Sequence, residues 1–408
     1  MKVVSDRFVP GRRLRVAIVH EWLDTYAGSE RVLEQLLQSY PEADVFAVVD
    51  FLTGPDREML RGRKVTTSFI QRLPGARKRF RNYLQLMPIA VEQFDLAGYD
   101  LILSSHHAVA KGVITGPDQV HVCYVHSPMR YAWDMQAEYL HQSGMERGLR
   151  SLYARWLLHR LRGFDVRSAN GVDLFIANSR YIARRIRKAY RRDAEVVAPP
   201  VDVQRFQPGH DTRRDYVVVS RMVPYKRVDL VVEAFRGLPD RRLLVIGDGT
   251  EREKIAALAS GAPNIELLGR LPQDALLRTL QQARAFVFAA EEDFGIAMVE
   301  AQACGTPLIV YGRGGAADII DPDAGPPTGV LFDEQTPEAI RNAVWRFERD
   351  EALMTPERCR ANALRFSPDA FARGIAEAVA RALDEARRNG APIPATDSQP
   401  IFHRHGAL

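Results

Sequence analysis

The chain has 408 residues, 46% of them hydrophobic and 26% charged, with a formal net charge of +5. That length accommodates two or three domains with a substantial core, and no apolar run reaches the ~18 residues a membrane-spanning helix needs. Cys123, Cys304 and Cys359 lie far apart, which excludes a disulfide scaffold or a zinc knuckle and suits a reducing cytosol.

The net charge hides an asymmetry. Residues 1–198 hold 30 Lys and Arg against 21 Asp and Glu, whereas residues 199–408 hold 26 against 30. A basic half points to an anionic surface or ligand. Nucleic acid is not the expected partner, because the basic clusters lack stacking aromatics and a helix-turn-helix pattern.

In chain order, a basic tail (residues 1–13) comes first, interrupted by Asp6, Pro10 and Gly11 before any signal-type apolar core forms. Strands are then predicted at Val16–Val19, Val45–Val49, Leu101–Ser104, Val120–Val125 and Leu174–Ala177. Each is a short apolar run bounded by polar residues, as in a parallel sheet buried on both faces. Helices fit between them, such as Ser29–Ser39 with its stripe of Val32, Leu33, Leu36 and Leu37. Pro199, Pro200 and Pro208 interrupt the pattern and mark a domain boundary. The pattern then restarts with strands at Tyr216–Ser220, Leu243–Ile246, Ile265–Leu268, Ala285–Ala289, Leu308–Val310 and Val330–Phe332. Intervening helices are expected at Arg227–Phe235, Glu251–Ala259, Leu276–Ala283 and Pro337–Arg349, with a terminal helix over Asp369–Arg388. The expected architecture is α/β: two doubly wound Rossmann-like domains, residues 14–198 and 199–388, facing across a cleft, with a loose tail over 389–408. Ligands of such folds sit at the carboxyl ends of strands, so the loops there carry the chemistry.

The sharpest loop runs from Glu291 to Glu300, after strand Ala285–Ala289 and into a helix. Amides near Gly295 and Ile296 make a positive helix end, while Glu292 and Glu300 can accept hydrogen bonds from sugar hydroxyls. Glu292 could equally be a helix cap and Glu300 part of a solvated face. Arg221 and Lys226, at the end of the domain's first strand, form a fork and a point charge fit for a diphosphate. Gly247-Asp248-Gly249 and Gly312 to Gly315 are tight turns compatible with a nucleotide site, but neither gives the dinucleotide fingerprint. Asp321-Pro322-Asp323 reads as a turn. In the first half, His126 follows a strand and could offer a ligand a hydrogen bond or a positive charge; His106 and His107 read as structural. Gly28 and Ser29 sit in the first strand-to-helix turn.

Together these residues resemble the retaining glycosyltransferases of family 4, whose fold is the two-Rossmann GT-B type, over roughly residues 14–388. The marks are Glu292-x7-Glu300 with Phe294-Gly295-Ile296, the Arg221/Lys226 pair, the turn at Gly28, and the stretch Pro199-Pro200-Val201-Asp202 through Phe206. The chain departs from the family at Ala27-Gly28, where two glycines are usual, and at Ser220 and Arg227, where glycines are common. The resemblance implies that Arg221 and Lys226 hold a donor diphosphate and that Glu300 binds the nucleotide ribose. Phe294, Gly295, Ile296 and Gly247 complete the donor site. Glu292 and the amides after it would hold the donor sugar, His126 would contact it near the reacting carbon, and Gly28 and Ser29 would shape the acceptor side. It implies same-face transfer in which the departing phosphate takes the acceptor proton, with no cofactor or metal. The stretch His126 to Tyr131 is similar to bacterial mannosyltransferases that use GDP-mannose. The implied acceptor is a polyprenyl-diphosphate-linked saccharide in cell-surface polysaccharide synthesis. A transferase using a UDP- or ADP-sugar and a sugar-nucleotide epimerase are the alternatives.

Two further basic stretches bear on location. Gln71 to Asn82 bunches Arg72, Arg77, Lys78, Arg79 and Arg81 without an acid. Arg77, Lys78, Arg79 and Arg81 are expected to contact an anionic membrane surface, placing the protein on the inner face of the cell membrane. Ser179 to Arg192 is also cationic, but Ile182, Ile186 and Tyr190 recur every four residues, the pattern of a core-packed helix with a solvated basic back.

Overall fold

A computed structural model describes residues 12–209, 213–320 and 325–394. The expected basic tail before residue 12, the turn at Asp321-Pro322-Asp323 and the tail beyond residue 394 lie outside the described residues. The chain divides into two compact units: one runs through Ala198 and resumes at Phe371, and the other is Pro199–Ala370.

The first unit is built on a parallel sheet of β1 (Val16–His20), β2 (Asp44–Ala47), β3 (Val65–Thr67), β4 (Leu101–His106), β5 (Val120–Val125), β6 (Leu174–Ala177) and β7 (Glu195–Val196). Its order is β3-β2-β1-β4-β5-β6-β7, with Ile18 paired to Val45 on one side and to Leu103 on the other. The strand order reverses between β1 and β4, which creates a topological switch point. Every residue of β1, β4 and β5 is buried, which explains why these strands read as continuous apolar runs. The edge strands β3 and β7 were not foreseen, being too short and too polar to leave a signal. The Gly28–Ser39 helix buries Val32, Leu33, Leu36 and Leu37, as its stripe demands. The Arg180–Tyr190 helix, capped by the Ser179 hydroxyl accepting from the Ile182 amide at 3.1 Å, buries Ile182, Ile186 and Tyr190 and leaves its basic back outside.

One expectation is corrected here. The sequence reading groups the terminal helix, Pro368–Arg388, with the second domain, but from Phe371 onward it belongs to the first unit. Phe371, Ile375, Ala378, Val379, Ala382 and Leu383 share a core with Val16, Ile18, Tyr124 and Ile176. Sequence neighbourhood does not decide such docking. The helix needs an apolar face to cover its own stripe, and the first sheet supplies one.

The second unit carries β8 (Asp215–Val219), β9 (Leu243–Ile246), β10 (Ile265–Gly269), β11 (Ala283–Phe288), β12 (Leu308–Tyr311) and β13 (Gly329–Phe332). Their order, β10-β9-β8-β11-β12-β13, repeats the same reversal, now between β8 and β11. Two parallel, doubly wound Rossmann-like sheets are therefore present, as the strand grammar predicts.

Candidate active site

The second unit's switch point collects the residues singled out in sequence. The loop after β8 carries Arg221 and Lys226, and the loop after β11 carries Glu292. Lys226 Nζ donates to Glu292 Oε1 in an ion pair whose side chains are only 16% and 13% exposed. The Lys226 ammonium also lies 5.3 Å from the Tyr225 ring centre and 5.7 Å from that of Phe288. Arg221 is exposed and donates from Nη2 to the Tyr225 hydroxyl at 2.8 Å. Two cations and a carboxylate distant in sequence thus meet at one pair of strand ends.

Both glycine turns have a structural task at this place. Gly247 (φ 132°) lets the chain after β9 approach the end of β8 so closely that a Cβ would fall 1.8 Å from the Ser220 carbonyl oxygen. Gly314 does the same to the other loop: a Cβ there would lie 2.1 Å from the Glu292 carbonyl oxygen, which also accepts from the Gly315 amide at 2.8 Å. Gly247 therefore shapes the Arg221 loop, and the later turn clamps Glu292. Arg227, at a position where the family commonly has glycine, holds a left-handed backbone (φ 50°) at the start of the Val228–Arg236 helix.

Gly295 (φ 101°) precedes the Ile296–Ala303 helix, whose first amides face the switch point end of the sheet, and Glu300 is 7% exposed within that helix. The donor contact expected at Phe294 is one of the backbone amides after Glu292, and its ring has a separate, structural task. Its side chain is 3% exposed and packs edge-on to Phe366 at 5.4 Å, because an apolar ring beside the strand end gains more from core burial than from solvent. Only its backbone remains available to a ligand.

In the first unit, His126 directly follows β5, with Nε2 2.8 Å from the Ser105 hydroxyl. Burial, reinforced by the neighbouring His107 and His20, pushes its pKa down to about 3. Of the hydrogen bond and the positive charge that the sequence offers for His126, the Ser105 contact and the lowered pKa favour the neutral hydrogen-bonding imidazole. Gly28 opens the Gly28–Ser39 helix, and Ser29 Oγ donates to Glu30 at 3.0 Å. Glu30 also accepts from the Ala27 amide at 3.0 Å and lies 3.3 Å from His20 Nε2. Burial raises the Glu30 pKa, but the His20 contact and these hydrogen bonds outweigh it and hold the group at about 2.

Sequence reasoning missed Glu21. It follows β1, is fully buried, and accepts from the amides of His107, Ala108, Val109 and Ala110 at 2.6–3.0 Å. Its oxygen also lies 3.2 Å from His106 Nδ1. A carboxylate directly after an apolar strand was the available signal. The basic cluster is divided. Arg77, Lys78 and Arg79 stand exposed on the short Ala76–Arg79 helix, whereas Arg81 pairs with Asp24 at 2.8 Å and lies over the Phe80 ring.

Residues 26–205 match the family model Glycosyltransferase Family 4, and residues 201–366 match Glycosyl transferases group 1. The D-inositol 3-phosphate glycosyltransferase of Segniliparus rotundus is 31% identical over 255 residues, 54% of this chain and 54% of that protein. A GDP-mannose-dependent monoacylated alpha-(1-6)-phosphatidylinositol monomannoside mannosyltransferase of Corynebacterium glutamicum is 31% identical over 183 residues, 38% of this chain and 48% of that protein. The chain thus spans about half the length of the curated relatives it matches. Among solved structures, sucrose-phosphate synthase from Thermosynechococcus elongatus aligns with a TM-score of 0.68 and 19% identity, over 92% of this chain and 100% of that one. Anabaena HepE in complex with UDP gives 0.66 and 16%, over 90% and 100%. At such identities the likeness is one of fold.

Proposed function

The chain belongs to glycosyltransferase family 4, and from that premise we propose that it is a retaining hexosyltransferase acting on a nucleotide sugar. The observation that carries this reading is the meeting of Arg221, Lys226 and Glu292 at the β8/β11 switch point, beside the helix that opens at Gly295. In the proposed reaction an acceptor oxygen bonds to the anomeric carbon on the face from which the diphosphate departs, and the departing phosphate takes the acceptor proton. Arg221, Lys226 and the first amides of the Ile296–Ala303 helix meet the charge that develops on the diphosphate, so the reaction needs no metal ion. Glu300 binds the ribose, Glu292 orients the transferred sugar, and His126 serves as a neutral hydrogen-bonding group.

GDP-mannose is the proposed donor, a reading supported by the GDP-mannose-dependent relatives. The proposed acceptor is a polyprenyl-diphosphate-linked saccharide in cell-surface polysaccharide synthesis, met at the inner face of the cell membrane. Exposed Arg77, Lys78 and Arg79 support that location, each cation being worth ~1 kcal/mol near an anionic leaflet. A UDP-sugar is the second reading. A thermal-shift panel of GDP-, UDP- and ADP-sugars separates them. The cognate donor at a hundredfold excess over its Kd stabilises the protein by ~2.7 kcal/mol. A shift with UDP-sugars alone sinks the mannose reading.

A further inference from the structure

The Gly148–Ser168 helix of the first unit wears its apolar stripe on the wrong side. Its inner face is secured by Ser151, Leu161, Phe164 and Asp165. On its outer face stand Leu149 (85% exposed), Leu152 (66%), Tyr153 (52%) and Trp156 (53%). The i, i+3, i+4, i+7 spacing puts all four on one side of the helix. Such a stripe ordinarily faces a core. Here it faces outward, and Tyr153 and Trp156 stack on one another with ring centres 5.9 Å apart.

Charge surrounds the stripe. The helix carries Arg150, Arg155, Arg160, Arg162 and Arg167, and its one acid, Asp165, is buried against Lys111. Arg160 continues the outer face and lies 5.9 Å from the Trp156 ring. The Tyr153 hydroxyl donates to Gln85 at 2.7 Å, which ties the stripe to the segment that directly follows exposed Arg77, Lys78 and Arg79. The surface is therefore an apolar, aromatic strip with a cationic rim.

We propose that this outer face inserts into the headgroup region of an anionic lipid bilayer. Leu149, Leu152 and Trp156 enter the acyl boundary, while Arg150, Arg155 and Arg160 grip lipid phosphates. Trp and Tyr favour that interface because each has an apolar body and a polar tip. The competing occupant is a second copy of the chain. A two-fold contact would set the same arginines against one another with no exposed acid on the helix to answer them. The proposal rests on the reading of a membrane-surface enzyme and supplies what the cationic cluster alone lacks, an apolar contact that salt does not screen.

The test uses co-sedimentation of the full chain with phosphatidylglycerol/phosphatidylcholine vesicles and with pure phosphatidylcholine vesicles. The protein should bind the anionic vesicles, and high salt should release it only in part. Substituting Leu149→Ser, Leu152→Ser and Trp156→Ser together should weaken binding at least tenfold and make the remainder fully salt-releasable. All three side chains are more than half exposed, so the fold should survive, which an unchanged Tm checks. Brominated lipids should quench wild-type tryptophan emission, and Trp156→Phe should abolish most of that quenching. If the triple variant binds as well as wild type, the helix proposal falls while the membrane reading stands. If wild type binds no vesicles, both fall. A wild-type dimer that the triple variant converts to monomer would assign the strip to a second copy and overturn the proposal.

Discussion

The two units share a topology and put their charges to opposite use. In the first, the loop after β1 delivers the Glu21 carboxylate onto the amides that follow β4, so the switch point is filled from within. In the second, the corresponding loop after β8 delivers the cations Arg221 and Lys226 toward the loop after β11. The interiors follow suit. His20, Glu21, Glu30, His106, Lys111, His121 and Asp165 are buried in the first unit, whereas among the described residues of the second the buried polar set is Glu300, Gln302, Thr306 and Thr328. Lys111 is sustained there by the Asp165 carboxylate at 2.6 Å, the Asp165 carbonyl at 2.7 Å and the Ser168 hydroxyl at 2.6 Å. A charge at the first switch point holds the fold together. At the second, a cation of one loop meets a carboxylate of the next.

The largest effect expected from this contrast is on folding. Glu21→Ala strands the amides of His107 to Ala110 and should cost about 3–5 kcal/mol in urea denaturation, because several donors, each worth about 1–3 kcal/mol when left unsatisfied, lose their acceptor at once. A loss under 1 kcal/mol would mean that the first switch point does not depend on its carboxylate. In the second unit the corresponding substitution should strike catalysis instead. Arg221→Ala should cost about 2–4 kcal/mol in kcat/KM while leaving Tm unchanged. On the same loops, Glu300→Ala should raise the donor KM and Glu292→Ala should lower kcat, and unchanged kinetics in both would remove these glutamates from the site.

Next comes pH. Burial lowers the pKa of His121 to about 4 and, helped by nearby histidines, that of His126 to about 3; burial also lowers His106 and His107. The unfolded chain therefore binds more protons than the folded one below about 6.5. Stability is fully present above that value and falls through the window toward 4 and 3, at about 1.4 kcal/mol per pH unit for each such histidine. Glu30, held at about 2, loses its contribution only at much lower pH. Amide exchange at pH 7 and pH 5 should show the first unit loosening while the second, with no histidine among its described residues, holds. Equal loosening would erase the contrast. The smallest effect is expected at the second unit's rim. Arg242, half exposed and bonded to Glu266 at 2.6 Å and Asp215 at 3.3 Å, should cost under about 1 kcal/mol on Arg242→Ala.

Much of this was legible in the chain. The β5, β6, β11 and β12 strands show because burial on both faces forces continuous apolar runs, and the Gly28–Ser39 helix shows by its buried stripe. Arg221, Lys226, Glu292 and Glu300 stand out because strand ends interrupt those runs with charge. Glu21 stayed hidden although it occupies the same kind of position, since only the fold brings the amides of His107 to Ala110 to it. The direction of the Leu149–Trp156 stripe was equally invisible, because periodicity shows that a helix has an apolar face but not whether a core lies beneath it.

The sequence by itself determined two Rossmann-like units and the loops that carry charge, because periodicity and strand-end polarity are local properties. Tertiary structure decided which groups meet at each switch point: Glu21 with the amides after β4, and Lys226 with Glu292. It also docked the terminal helix on the first sheet, buried the Phe294 ring against Phe366, and lowered the pKa of His126. Each of these outcomes depends on which desolvated groups meet across long stretches of chain, and burial and pairing of that kind have no signature in neighbouring residues.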